Sequence, residues 1–274
     1  MIILVVLVLS LTVLTALYFY MIMPRILGRP DTSSYRKWLY AHRGLYDNDS
    51  DAPENSLAAF GKAVNGGFGI EMDVQLSKDG IPMVFHDFTL KRICGVDGKV
   101  CDYTCEELQK FRLCGSGQRI PRLEEVLTLV SGKVPLIVEL KLPTMDTSVC
   151  PAADRLLSDY KGMYCIESFH PLAVRWYRKN RREIVRGQLS DAFLKEGEFN
   201  GPVCFLLQNL LFNWLGKPDF VAYNHKYPKI FSRRLCRDFY RNTAVAWTIK
   251  TPRELEAARK YFDICIFDSF VPEK

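Results

Sequence analysis

Along residues 38–267, short apolar runs with strand character alternate with amphipathic stretches of helical character. The strand-like runs are 38–42, 69–74, 82–86, 134–140, 163–167, 184–189, 220–223, 244–249 and 264–267. The helix-like stretches include 56–65, 122–131, 171–180, 229–240 and 252–261. Regular alternation of this kind indicates a parallel sheet whose strands are joined by crossover helices.

One pair of runs departs from this alternation. Only residues 75–81 separate the second run from the third, which is too short for a helical crossover, and Asp79-Gly80 predicts a two-residue hairpin turn. With that hairpin set aside as a rim feature, eight runs remain. They predict an α/β fold, a (β/α)₈ TIM barrel with an irregular second unit; an open doubly wound sheet is the alternative. The usual glycine-rich nucleotide-binding motifs do not occur in the sequence.

The first 24 residues contain no charged side chain. As a helix they would span about 30 Å or more, enough to cross a bilayer. Bulky residues end the stretch, and Tyr18 and Tyr20 suit the aromatic belt of a membrane interface. We expect a transmembrane anchor over 1–24, a juxtamembrane linker over 25–37 and a barrel domain over 38–274. A buried core helix and a cleaved signal peptide are the alternatives.

Charge and cysteine content suggest where the barrel domain lies. Arg25, Arg29, Arg36 and Lys37 follow the apolar stretch, against one acid, Asp31. The positive-inside rule therefore favours a single-pass membrane protein with a cytoplasmic catalytic domain. The nine cysteines are odd in number and form no C-x-x-C pair, which is typical of reduced thiols in the cytosol.

Polar residues lie at or near the ends of several apolar runs, where barrel enzymes place their chemistry. They are His42, Arg43, Glu71, Asp73, His86, Glu139 and Lys141. Glu71 and Asp73 are two residues apart, so their side chains share one face of a strand. A two-residue turn at Asp79-Gly80 would also place Asp73 directly opposite His86.

These residue types together suit displacement at phosphorus assisted by a metal. The three acids offer oxygen ligands for Mg²⁺ or Ca²⁺. Two histidines supply an acid and a base near neutral pH, and Arg43 and Lys141 are residue types that bind phosphate. The alternatives are a solvated strand face for Glu71 and Asp73, and a simple ion pair for Glu139 and Lys141.

Several motifs occur in a fixed order along the chain. They are Ala41-His42-Arg43-Gly44, Pro53-Glu54-Asn55-Ser56, Glu71-Met72-Asp73-Val74, Val84-Phe85-His86-Asp87, Val138-Glu139-Leu140-Lys141 and Ala246-Trp247-Thr248. This series resembles the glycerophosphodiester phosphodiesterase family of the phospholipase C-like phosphodiesterase superfamily, over residues 39–272. The resemblance implies a (β/α)₈ barrel that hydrolyses glycerophosphodiesters to glycerol 3-phosphate and an alcohol.

The resemblance also implies roles for individual residues. A divalent metal, Mg²⁺ or Ca²⁺, would be held by Glu71, Asp73 and Glu139. His42 and His86 would form the general acid–base pair. The implied substrate- and phosphate-binding residues are Arg43, Lys141, Glu54, Asn55 and Trp247.

The chain departs from the family pattern in two places. Asp268 matches the closing acid of the family only weakly, because Phe267 precedes it and the next proline is Pro272. His170 follows Ser168-Phe169 where an acid or amide is common in the family. For His170 and His225 we expect surface or capping roles rather than roles in the site.

Other segments leave the choice of partner open. The basic runs 175–186 and 233–241 are either solvated helix faces or surfaces attracted to anionic lipid; no recognition motif accompanies them, so nucleic acid is not an expected partner. The apolar segment 205–214 is either a helix covering the barrel or an element dipping into a membrane. Hydrolysis of lysophospholipids and a catalytically silent lipid-binding module are the alternative functions, and the oligomeric state stays open.

Overall fold

Eight parallel strands close into a barrel in the computed structural model, which describes residues 1–197 and 201–273. These are β1 Leu39–His42, β2 Gly69–Leu76, β4 Leu136–Leu140, β5 Tyr164–Ser168, β6 Arg186–Ser190, β7 Phe220–Asn224, β8 Thr243–Ile249 and β9 Ile264–Phe267, and a ninth strand, β3 Pro82–Val84, pairs antiparallel with β2. β1 pairs with both β2 and β9, which closes the sheet and excludes the open alternative. The predicted (β/α)₈ barrel is confirmed. Residue 274, the predicted end of the barrel domain, lies outside the described residues.

One α-helix, α1, precedes the first strand, and the other α-helices lie around the outside of the barrel between successive strands. The α-helices are α1 Ile2–Ile22, α2 Leu57–Gly66, α3 Lys91–Cys94, α4 Cys105–Leu108, α5 Leu123–Val130, α6 Val149–Asp159, α7 Pro171–Asn180, α8 Phe193–Glu196, α9 Pro202–Gln208, α10 Asn213–Gly216, α11 Phe231–Arg234 and α12 Pro252–Ala258. Short 3₁₀ helices occupy Tyr35–Lys37, Val100–Asp102 and Leu113–Gly115, and a π-helix, Leu235–Phe239, continues α11. Pro171 and Pro252 occupy the first turns of α7 and α12, and the Thr251 hydroxyl caps α12.

The hairpin between β2 and β3 has a different register from the predicted one. Ser77 pairs with Ile81 across a three-residue loop, in which Gly80 has a φ of +77°. A loop of three residues with glycine in the left-handed region is a common hairpin form. Asp73 therefore lies opposite Phe85, whose N–H donates to the Asp73 carbonyl at 3.0 Å. The predicted pairing of Asp73 with His86 is wrong by one residue.

Two aromatic rings fill the interior of the barrel at its lower end. A Cβ at Gly69 would lie 2.6 Å from the Tyr40 ring, and a Cβ at Gly187 would lie 2.0 Å from the Phe220 ring. Glycine at these two positions leaves room for the rings inside the barrel. Further along the same inner face, β1, β2, β4 and β5 carry His42, Glu71, Glu139 and Glu167, so on these strands a polar layer lies above the apolar plug.

α1 is exposed from Ile2 to Leu17 and packs on the barrel only through its last turns. Its mean hydropathy is 2.8 over the most apolar window, none of which is buried, so it is long and apolar enough to cross a membrane. This exposure excludes the buried-core-helix alternative. At the other end of the helix Ile22 is fully buried.

Residues 25–37 lie against the amino ends of the strands, the bottom of the barrel. The Arg25 N–H donates to the Pro218 carbonyl at 3.1 Å, and the Arg29 guanidinium donates to the Tyr240 carbonyl at 3.0 Å. The Tyr35 hydroxyl donates to the Tyr164 carbonyl at 2.5 Å. This segment is therefore bound along its length.

The two basic runs and the apolar segment are divided between surface and interior. Arg186 in β6 and Arg233 in α11 are each only 2% exposed, so these two arginines belong neither to a solvated helix face nor to a surface available to lipid. The Arg186 guanidinium donates to the carbonyls of Gly216 and Lys217. The apolar segment 205–214 forms the end of α9 and the start of α10.

Candidate active site

Strand register brings acidic side chains together at the carboxyl ends of the barrel, which we call its mouth. His42 pairs with Glu71 between β1 and β2, Asp73 pairs with Glu139 between β2 and β4, and Glu139 pairs with Glu167 between β4 and β5. Residues paired in neighbouring parallel strands share a level and a face. The sequence therefore places one row of acids across adjacent strands.

Three of these acids form a compact oxygen cluster. One carboxylate oxygen each from Glu71, Asp73 and Glu139 lies within 4.8 Å of the other two, and all three residues are buried. Burial and the neighbouring negative charges raise the pKa of Glu71 well above its ordinary value, and burial raises that of Glu139 despite Lys141. A buried set of hard oxygen donors with this surplus of negative charge fits a divalent cation.

Lys141 partly compensates the acids. Its Nζ lies 3.0 Å from Asp73 Oδ1 and 2.9 Å from Glu139 Oε1. Burial alone would raise the pKa of Asp73, but Lys141, His86 and Arg43 hold it well below its ordinary value. Asp73 is therefore the member of the cluster that stays ionised most readily.

Arg43 reaches the site because the chain reverses directly after β1. Its φ is +56°, and the following Gly44 has a φ of +88° with Ala59 too close to admit a Cβ. The Arg43 N–H donates to Glu71 Oε2 at 3.1 Å. Its guanidinium Nε lies 3.4 Å from Asp73 Oδ2, so the arginine faces the acids.

Glu54 and Asn55 differ in what they present to the site. Glu54 accepts hydrogen bonds from Arg43, Arg92 and Asn48. Burial alone would raise the pKa of Glu54, but these donors lower it to about 2. The ionised carboxylate therefore holds the two arginines in place. The Asn55 amide donates to Asp73 Oδ2 at 2.9 Å, while its buried Oδ1 has no hydrogen-bond partner among the described residues.

His42 lies between two carboxylates. Its Nδ1 is 3.1 Å from Asp268 Oδ2, and its Nε2 is 3.9 Å from Glu71 Oε2. Burial and the charge of Arg43 lower the pKa of His42 to about 4, although Asp268 acts in the opposite direction. The ring is therefore neutral near pH 7.

His86 approaches the acids through a bend after β3 rather than through strand pairing. Its positive form lowers the pKa of Asp73 and Glu139, which places it within electrostatic reach of both. Its Nδ1 lies 2.6 Å from Asp87 Oδ1, and Arg92 joins Asp87 to Glu54. The two histidines thus lie close to the same acid cluster.

Trp247 lies in the last part of β8, where its ring packs edge-on against Phe169 at 5.5 Å between centroids. Its buried indole N–H has no partner among the described residues. His170, in contrast, caps α7 by accepting the Leu172 N–H, which confirms a capping role. His225 lies 4.0 Å from Glu254, a weaker and more peripheral contact.

Two acids were missed or undervalued by the sequence analysis. Glu167 is 1% exposed, and burial together with Glu139 raises its pKa well above the ordinary value. Its position at the end of an apolar run matches that of Glu139, which is the signal that could have found it. Asp268, only a weak motif match, contacts His42 directly because β9 pairs with β1.

Comparisons with known proteins agree on one family. The model described as the glycerophosphoryl diester phosphodiesterase family matches residues 42–268. A glycerophosphodiester phosphodiesterase of Caldanaerobacter subterraneus subsp. tengcongensis is 43% identical over 169 residues, covering 57% of this chain and 68% of that protein. Human glycerophosphodiester phosphodiesterase 1 is 38% identical over 158 residues, covering 53% of this chain and 46% of that protein.

Solved structures share the barrel. A Thermotoga maritima glycerophosphodiester phosphodiesterase has a TM-score of 0.63 at 27% identity, covering 84% of this chain and 94% of that one. A phosphodiesterase of Oleispira antarctica, solved with the product sn-glycerol-3-phosphate, has a TM-score of 0.67 at 24% identity, covering 85% and 92%. The family match extends over most of the chain and includes every strand that carries the acid cluster. The chain belongs to the glycerophosphoryl diester phosphodiesterase family.

Proposed function

We propose that this chain hydrolyses glycerophosphodiesters to glycerol 3-phosphate and an alcohol. The observation that carries the proposal is the buried cluster of Glu71, Asp73 and Glu139, with His42 and His86 beside it. The sn-glycerol-3-phosphate held by the Oleispira antarctica neighbour supports the identity of the product.

The acid cluster would hold Mg²⁺ or Ca²⁺. Such a cation would polarise a phosphoryl oxygen and offset the charge of the three acids. Asn55 Oδ1 is a buried acceptor without a partner beside Asp73, which suits a further contact to a cation or to a substrate hydroxyl. Arg43 and Lys141 would neutralise the phosphate and hold it against the acids.

His42 fits the role of general base. Its neutral ring donates from Nδ1 to the ionised Asp268, which leaves Nε2 as the acceptor for a proton from the nucleophile, either water or the glycerol hydroxyl of the substrate. His86 fits the role of general acid, because its Nδ1 lies 2.6 Å from Asp87 Oδ1, a contact that orients the ring beside the acid cluster. Trp247 would line the pocket for the glycerol or head group.

We also propose that α1 crosses a membrane as a single span, followed by a juxtamembrane segment over 25–37 and a cytoplasmic barrel over 38–274. The exposed apolar length of α1 supports the span, and the arginines and lysine that follow it support the orientation. Substrates would then be glycerophosphodiesters near the membrane.

A turnover assay tests the catalytic proposal. Full-length protein with Mg²⁺ or Ca²⁺ is given glycerophosphocholine and, separately, lysophosphatidylcholine, and the release of glycerol 3-phosphate or lysophosphatidate is measured. We expect release from glycerophosphocholine, lost in His42→Ala and kept in the capping control His170→Asn. Turnover of lysophosphatidylcholine alone would favour the lysophospholipid alternative, and no turnover of either would favour a silent lipid-binding module.

A further inference from the structure

An irregular segment connects β3 to α5 and carries one of the two proposed catalytic histidines, His86. The segment comprises residues 85–122, and we call it the insertion. It has an apolar cluster of its own, shared with β3, whose buried members are Met83, Phe85, Leu90, Ile93, Val100, Leu108, Leu113 and Ile120. The placement of His86 relative to the barrel therefore depends on the contacts that join the insertion to other segments.

The backbone around His86 is held by a side chain of β2. The Gln75 amide nitrogen lies 2.8 Å from the carbonyl oxygen of Phe85, 3.1 Å from that of His86 and 2.7 Å from that of Asp87. Gln75 is 5% exposed, so these contacts are shielded from water. They fix the course of the chain but leave the imidazole free to turn about its own side-chain bonds.

The direction of the imidazole depends on Asp87 and, behind it, on Arg92. His86 Nδ1 lies 2.6 Å from Asp87 Oδ1. The Arg92 guanidinium donates to both oxygens of Asp87, from Nε at 2.7 Å and from Nη2 at 2.8 Å. Burial alone would raise the pKa of Asp87, but His86 and Arg92 hold it well below its ordinary value. Asp87 is thus an ionised acceptor with a fixed direction.

The same guanidinium reaches the loop between β1 and α2. Its Nη1 donates to Glu54 Oε2 and its Nη2 to Glu54 Oε1, both at 2.8 Å. Glu54 also accepts from the Arg43 guanidinium at 2.7 Å. One continuous series of side-chain contacts therefore links the two sides of the acid cluster, through His86, Asp87, Arg92, Glu54 and Arg43.

Arg92 is poorly suited to binding the substrate itself. A guanidinium has five N–H donors, and the two carboxylates take four of them. Two negative charges already offset its one positive charge, so little attraction remains for a phosphate. A planar fork held by a carboxylate on each side instead sets the distance between its two partners.

We propose that Arg92 is a positioning residue, which sets the direction of His86 and its distance from Arg43 by bridging Asp87 and Glu54. The inference rests on the proposed function, which gives His86 the proton transfer and Arg43 the phosphate. It adds a residue that lies in the insertion rather than on a barrel strand and acts on the reaction only through its two carboxylate partners.

Steady-state turnover of glycerophosphocholine by the full-length protein, with Mg²⁺ or Ca²⁺, tests this role. Arg119 is a matched control, because it lies in the insertion, its side chain is 47% exposed like that of Arg92, and it donates to Glu125 at 2.7 Å. In Arg92→Ala we expect kcat to fall about 10- to 100-fold, with KM within about threefold. In Arg119→Ala we expect both to stay within about twofold.

Arg92→Lys is the conservative variant. It keeps the positive charge, but a lysine offers a compact charge in place of a planar fork and cannot bridge two carboxylates in the same way. We expect its kcat to fall nearly as far as that of Arg92→Ala. The longer side chain also fills the space beside Glu54, so Arg92→Lys carries the kinetic test if Arg92→Ala does not fold.

Histidine NMR of the full chain separates this inference from the proposed function, because it needs no turnover. The chain has four histidines, so ring-labelled histidine gives four signals that single substitutions assign. In Arg92→Ala we expect the His86 signal to shift, and the signal of His170, which caps α7, to keep its position. This shift in a wild-type protein without turnover would overturn the proposed function and support the bridging by Arg92.

Three results would overturn the positioning role. The first is a kcat within about twofold of wild type in Arg92→Ala or in Arg92→Lys. The second is a raised KM at unchanged kcat, which would make Arg92 a substrate contact. The third is a His86 ring signal that keeps its position in Arg92→Ala.

Discussion

Nδ1 of His42 lies 3.1 Å from Oδ2 of Asp268, although 226 residues separate the two in the chain. The contact arises because β9 returns to pair with β1 and both residues follow paired positions. An ionised carboxylate can only accept, so Nδ1 carries the proton and Nε2 faces the acid cluster as an acceptor. Asp268 is thus a positioning residue for the proposed base.

Replacing Asp268 by Asn should show this role. We expect kcat to fall about 10- to 100-fold, since the ring loses the partner that sets its tautomer. Asp268 also raises the pKa of His42, so its loss should move the acid limb of the kcat/KM profile to lower pH. Asp238→Asn, at an exposed carboxylate, is the control. An unchanged rate and profile in Asp268→Asn would contradict the assignment.

Metal binding should depend on the acid cluster. Removal of divalent ions by a chelator should abolish turnover, and Mg²⁺ or Ca²⁺ should restore it. Because a bound cation offsets three buried carboxylates, it should raise Tm by about 5 °C at saturating concentration. Glu71→Gln should lose both effects, and Glu183→Gln, at an exposed side chain, should keep them. A Tm shift of the same size in Glu71→Gln would rule out this site.

Glu54 should contribute to stability at neutral pH and lose that contribution in acid. Its pKa is lowered from an ordinary value of 4.5 to about 2 in the folded state. The stabilisation is therefore complete above pH 4.5 and is lost as the pH falls toward 2. Its size is about 3 kcal/mol from the pKa difference. Denaturant unfolding between pH 7 and 3 should show a flatter pH dependence for Glu54→Gln than for the exposed control Glu124→Gln; equal slopes would refute the prediction.

The barrel should fold without the exposed part of α1. Deletion of residues 2–17 removes no buried side chain, so turnover of glycerophosphocholine should persist while the protein leaves the membrane fraction. In this background Ile22→Asp should lower the free energy of unfolding by about 3 kcal/mol, because it buries a charge. Ile26→Asp, at a side chain that is 51% exposed, should change it by less than about 0.5 kcal/mol. Equal effects would show that the last turn of α1 is not packed as described.

Local patterns in the sequence predicted the barrel and the residues of the acid cluster. Every predicted strand-like run overlaps an observed strand, because buried parallel strands are continuous apolar runs with turn residues between them. Period-2 spacing placed Glu71 and Asp73 on one face. These features depend on a few neighbouring residues, which a single sequence displays.

Features that depend on geometry between distant segments were predicted less well. Asp79-Gly80 is compatible with a hairpin loop of two or three residues. The observed loop has three, which shifts the strand register by one residue, so Asp73 lies opposite Phe85 and not opposite His86. Asp268 gains its role only when the barrel closes. The path of residues 25–37 under the barrel depends on carbonyls at Tyr164, Pro218 and Tyr240, which no local pattern reveals.

The hydrogen bonds that hold residues 25–37 against the bottom of the barrel restrict how the barrel can move relative to a membrane. If residues 25–37 were a free flexible segment, the barrel could move by about 20 Å relative to the end of α1. Here the hydrogen bonds of Arg25, Arg29 and Tyr35 remove that freedom. On the proposed span, the catalytic centre stays at one height above the lipid and meets substrate by lateral diffusion in two dimensions, and lengthening the segment alone would not extend its reach.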